Sequence, residues 1–140
     1  MARGNSCFVE GNLTKDIELL VASTGTVVGR GAVAWNQSKR EGDAWIDIPH
    51  YFDFTLFGDI AENAAASLNK GDRVVIEGRL DFNTWDNEEG VTQRQVRILA
   101  ESVNPCLRWA TASVVKTQKK DGAPVTPGSK PVTVSGESPF

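Results

Sequence analysis

In the run HYFDFTLF, residues 50–57, Phe52, Phe54 and Leu56 share one strand parity while Tyr51, Asp53, Thr55 and Phe57 share the other. The first set reads as core. A sealed interior does not readily accept the charge of Asp53, so Tyr51 and Phe57 are expected to face water. The same alternation over residues 73–85 sets Val74, Ile76, Leu80 and Phe82 against Arg73, Arg79, Asn83 and Trp85. A single aromatic is more often core or interface packing, and parity is what separates these three rings from that reading. Rings beside polar groups suit unpaired nucleic-acid bases, because every base has a flat π-face; one stack contributes about 1 to 3 kcal/mol whatever the sequence. Trp35 is a further stacking candidate, with Trp45 as its alternative, but parity does not decide for either, nor for Trp109. The cations available to phosphates are Arg3, Lys39, Arg40, Lys70, Arg79 and Arg94, of which Lys70 and Arg79 have the better positional support.

Other chemistries find little to work with. His50 is the one histidine, which excludes a two-histidine metal site, and no Ser or Cys stands in a nucleophile motif. Neither GxxxxGK[ST] nor GxGxxG occurs. Asp43, Asp47 and Asp53 could gather round a hard cation, but scattered carboxylates on an acidic surface are usually solvated. Cys7 and Cys106 have no CxxC spacing and read as small buried apolar residues. No enzyme, metal or cofactor is expected.

The elements that must position the rings fit one domain in 140 residues, 40% apolar and 24% charged. Residues 1–115 carry 11 Lys and Arg against 16 Asp and Glu, whereas residues 116–140 carry 4 against 2. No global basic field announces a nucleic-acid binder, so that role must rest on a local surface. Residues 116–140 hold four of the six prolines and read as a flexible Pro/Gly/Ser-rich tail ending in Pro-Phe. No run of 18 apolar residues and no secretory signal is present, which makes the cytoplasm the expected location. Strands are predicted at residues 7–13, 27–36, 50–57, 73–85 and 91–103, with a hairpin loop at 39–49. Gly29 and Gly31 fit a sharply bent strand. A helix is predicted over 59–70, capped by Asp59 with Glu62 and stopped by Gly71. Five strands with one short helix between the third and fourth define an all-β, OB-type barrel over residues 1–115.

The residues also resemble the bacterial-type single-stranded DNA-binding proteins and their phage-encoded relatives. The pieces are Gly11-Asn12-Leu13-Thr14-Lys15-Asp16, Leu56-Phe57-Gly58, Ala61-Glu62-Asn63, Ser67-Leu68, Lys70-Gly71, Arg73-Val74, Glu77-Gly78-Arg79-Leu80, and Trp85 four residues before Glu89-Gly90. They cover about 110 residues in the family's order. Leu107-Arg108-Trp109-Ala110-Thr111-Ala112 is similar to the actinobacterial or actinophage-like branch. The resemblance implies a homotetramer that binds and protects single-stranded DNA during replication, recombination and repair, with no catalysis. It places the family's stacking aromatics on Tyr51, Phe57 and Trp85 and a basic position on Lys70. Where the family has another aromatic, after the second strand, this chain has Lys39, and Trp35 or Trp45 is the substitute. By the same resemblance, Pro139 and Phe140 would dock on replication and repair proteins.

Two departures from the family pattern stand out. Asp53, Asp59, Asp81, Asn83 and Thr84 occupy places where relatives often carry Arg or Lys, so binding is expected to depend more on stacking than on phosphate attraction. The tail keeps Pro-Phe but only one nearby acid, Glu137. The rival readings are an OB-fold module for RNA and a protein-interaction scaffold with weak DNA binding.

Overall fold

The computed structural model describes residues 3–117. Its elements are β1 (Cys7–Leu13), β2 (Glu18–Val21), β3 (Val27–Glu41), β4 (Ala44–Phe57), α1 (Asp59–Ser67), β5 (Arg73–Asp86) and β6 (Thr92–Pro105). The strands run in the order β1-β5-β6-β4-β3-β2, and β1 also pairs with β3. That last pairing closes a barrel of β1, β5, β6, β4 and β3, the expected OB-type architecture. The additional strand, β2, lies outside the ring and pairs only with Val27–Arg30 of β3. Its four residues, ELLV, are all exposed and show no alternation, which is why the sequence pattern did not reveal it. With β2 counted, the helix falls between the fourth and fifth strands.

The core follows the parity of the strands. Phe54 and Leu56 are fully buried with Val33, Val74, Ile76 and Ile98, and Ala61, Ala64 and Leu68 close one end. Phe52 is partly buried against this cluster. Thr55 is buried despite its polar-side parity, because it pairs with Arg30 of β3 on one side and Leu99 of β6 on the other. At Gly31 the ring of Phe54 lies where a Cβ would project, so the bent strand needs glycine for a close approach. Glu101 is an extra residue in β6: Glu77 pairs with Ser102 and Gly78 with Ala100, producing a bulge.

Residues 39–49 form no open loop. The ladder between β3 and β4 continues from Val28↔Phe57 to Glu41↔Ala44 and turns through Gly42 and Asp43 alone. Gly42 has φ +64°, the conformation a two-residue hairpin turn requires and which glycine adopts without steric cost.

The helix also departs from expectation at both ends. Gly58 (φ +80°) is its N-cap, and the Gly58 carbonyl accepts from the N–H groups of Ala61 at 3.0 Å and Glu62 at 3.4 Å. No side chain caps it, so Asp59 and Glu62 act as acids in the first turn, favourable to the helix dipole, and not as a capping box. The helix ends at Ser67, because Leu68 turns extended and drops into the core while its N–H still reaches Ala64 O at 2.9 Å. Gly71, with φ +93°, belongs to the following turn.

The compact unit carrying this barrel ends at Arg108. Residues 109–117 contain no helix or strand. Pro139 and Phe140 lie outside the described residues. Among the described residues no helix is long and apolar enough to cross a membrane.

Candidate nucleic-acid interface

Directly paired residues of an antiparallel ladder project from the same face. In the β3–β4 hairpin the pairs Arg40↔Trp45, Ser38↔Asp47, Ala34↔Tyr51, Ala32↔Asp53 and Val28↔Phe57 therefore form one face. Ser38 Oγ donates to Asp47 Oδ1 at 3.3 Å within it. In the β5–β6 hairpin Asp81↔Arg97, Asn83↔Gln95 and Trp85↔Gln93 alternate in the same way. Gln95 Nε2 donates to Asp53 Oδ2 at 3.2 Å, which joins the two hairpins on this side. Tyr51, Phe57 and Trp85 thus stand on one outer face, and their exposures of 67%, 49% and 46% leave all three rings accessible.

Trp45 shares this face and is 69% exposed. Extending the alternation of β4 backwards from Tyr51 would have placed it there, but reading residues 39–49 as a loop interrupted the count. Arg30, paired with Thr55, and Arg97 also belong to this face. Neither was among the expected cations, although the parity of residues 27–36 contained the signal for Arg30.

Trp35 lies on the reverse face, paired with His50. Their ring centroids are 5.8 Å apart at 30°, and His50 Nε2 is 2.9 Å from Gln37 Oε1. Trp35 lines a groove of about 550 Å³ with Phe8, Val9, Phe52 and Arg73. Lys39, paired with Ile46, and Arg94, paired with Thr84, are on the reverse parity as well. Arg40 is on the outer face and its Nε donates to Gly42 O at 3.1 Å; Arg79 is there too, half-buried. Lys70 follows α1, exposed, with its N–H donating to Asp16 Oδ1 at 2.7 Å. Arg3 is exposed in the turn before β1. The face therefore brings together the three parity-selected rings, Arg40 and Arg79, and does not include Trp35, Lys39 or Arg94.

The charges on the face are partly matched. Arg97 Nε donates to Asp81 Oδ2 at 3.2 Å, with both side chains about one third exposed. At the barrel's side Arg73 Nε donates to Glu10 Oε2 at 2.7 Å, and that guanidinium holds the Glu10 carboxyl below the usual carboxylate range. Burial pushes the half-buried Cys7 thiol up. Cys106 is half-buried too, with Sγ 3.7 Å from Glu10 Oε2, so neither cysteine reaches the full burial expected of it. Among the described residues no cluster of His, Cys, Asp and Glu could hold a metal ion.

A closed five-stranded barrel presenting rings on a strand face defines an OB-fold binding protein. Residues 4–106 match the Single-strand binding protein family, and the chain belongs to that family. It is similar to the single-stranded DNA-binding protein of Borreliella burgdorferi, 36% identical over 74% of this chain and 70% of the relative. Those of Paenarthrobacter nicotinovorans and Mycobacterium bovis are 32% and 31% identical over the whole of this chain, covering 88% and 89% of their own lengths. The actinobacterial likeness read from residues 107–112 is borne out by these relatives.

Proposed function

We propose that the chain binds single-stranded DNA without sequence preference, stacking bases on Tyr51, Phe57 and Trp85 and placing phosphates near Arg40, Arg79 and Lys70. The observation that carries this reading is the exposure of three rings on one outer face. Membership of the family supports it. Trp45 extends the track along β4. From Trp45 to Tyr51 is six residues, about 20 Å at the usual strand rise, which is room for more than one nucleotide. The binding is to protect transient single strands in replication, recombination and repair, with no catalysis and no cofactor, and the location that suits it is the cytoplasm.

Self-association into a homotetramer belongs to the same proposal. β1 is paired with β5 from Cys7 to Asn12 but with β3 only at Asn12 and Leu13, so among the described residues most of its second edge is unpaired beside the exposed Phe8. An open strand edge favours pairing with another strand. Replication and repair proteins are the proposed partners of Pro139 and Phe140.

The test is a titration of tryptophan fluorescence with poly-dT and poly-U at low and high salt, with light scattering for mass. Quenching by poly-dT and a particle near four times 15.2 kDa are expected. Preference for poly-U would favour an RNA module, as 2′-hydroxyl contacts would then contribute. A tetramer that neither polymer quenches would favour the scaffold.

A further inference from the structure

Arg97 stands in the middle of the ring-bearing face, on β6, the strand between Tyr51 of β4 and Trp85 of β5. Its guanidinium is not presented openly to a ligand, because Nε donates to the Asp81 carboxylate directly opposite, at 3.2 Å. Each side chain keeps about a third of its surface in water, so the pair is neither sealed nor fully solvated. An arginine fork matches a phosphate as well as it matches a carboxylate. Exposed ion pairs of this kind are worth about 0 to 1 kcal/mol, little enough for a second anion to displace the first.

We infer that Arg97 is a phosphodiester-binding residue on the stacking face and that Asp81 competes with the DNA backbone for it. The inference rests on the proposed binding of single-stranded DNA and adds to it a site and a restraint: the carboxylate stands in for phosphate in the free protein and must give way when a strand is bound. Asp53 provides the contrast. It is an acid on the same face, but its hydrogen-bond partner is the neutral amide of Gln95, whereas the ion pair of Arg97 is with Asp81.

The experiment measures poly-dT affinity as a function of salt for the full chain and its Asp81→Asn, Asp53→Asn and Asp81→Asn/Arg97→Gln variants. Asp81→Asn is expected to bind about fivefold tighter at low salt, the equivalent of about 1 kcal/mol. Its logarithmic salt slope should steepen by about 0.7, as one added phosphate contact requires for a single strand. The double variant should lose both changes. Asp53→Asn removes the same charge and should gain less, with no steeper slope. Equal gains in Asp81→Asn and Asp53→Asn would reduce the effect to general charge and overturn the inference, as would a gain that survives removal of Arg97. Asp81→Thr, which substitutes a strand-forming residue, is a second variant should the amide disturb the hairpin; no gain in either also overturns it. A wild-type chain that poly-dT does not quench would defeat the underlying proposal instead, and that result is distinct from all of these.

Discussion

Trp35 and Tyr51 occupy adjacent rungs of the same ladder and project to opposite sides: Tyr51 is paired with Ala34 on the outer face, Trp35 with His50 on the reverse. Two rings close in the ladder thus serve different surfaces. A strand that follows Tyr51 meets Trp45 next along β4, on its own side of the hairpin.

Trp85→Ala is expected to weaken poly-dT binding by about tenfold or more, one lost stack at about 1.4 kcal/mol. Fluorescence or anisotropy titration reads this, with circular dichroism to check the fold. An unchanged affinity in a folded variant would remove Trp85 from the track.

Trp45→Ala is expected to cost more affinity than Trp35→Ala on a long oligothymidine. Both positions are exposed in the same hairpin, but Trp35 also contacts the His50 ring, so urea unfolding of both variants is measured alongside to separate stability from the face used. The reverse order would route the strand past His50.

The salt dependence of the wild type should be shallow. Arg40, Arg79 and Lys70, the proposed phosphate contacts, would contribute about −2 to the logarithmic slope per subunit at about −0.7 per contact. A slope several times steeper would mean that cations elsewhere on the chain dominate the contact.

Gly31→Ala is expected to destabilise the barrel by about 1 to 3 kcal/mol, since the Phe54 ring occupies the space of the new methyl and must shift within a filled core. Urea unfolding measures it; an unaltered midpoint would show that the core yields without cost.

Acid should act through Glu10. Its carboxyl is held below the usual range chiefly by the Arg73 hydrogen bond, so its contribution is present above the unfolded carboxylate pKa and is lost as pH falls through the lower folded value. Glu10→Gln should therefore be less stable than the wild type at neutral pH, with the difference closing on acidification. A gap that stays constant with pH would contradict the coupling.

The barrel strands were legible because burial on one side imposes alternation, as in residues 50–57 and 73–85. β2 was not, since an exposed edge strand has no buried side to leave a pattern. The long hairpin was hidden for a related reason: beyond the barrel both faces of residues 37–48 are largely wet, and only Gly42 marks where the chain reverses. The helix start turns on backbone conformation: Gly58, with positive φ, takes the cap position that side-chain chemistry assigns to Asp59. The rings at Tyr51, Phe57 and Trp85 could be picked out by parity, whereas the pairing of Asp81 with Arg97 needed the register of two strands.

The seam between β4 and β6 is only two rungs long, Phe54 with Ile98 and Thr55 with Leu99, followed by the Gln95 to Asp53 bond. Beyond it β4 and β6 share no rung, and the two hairpins are otherwise joined through β1, which pairs with both β3 and β5. The spacing of Tyr51 and Trp85 therefore follows from how each arm twists away from the barrel, with no paired rung between the two rings to fix it.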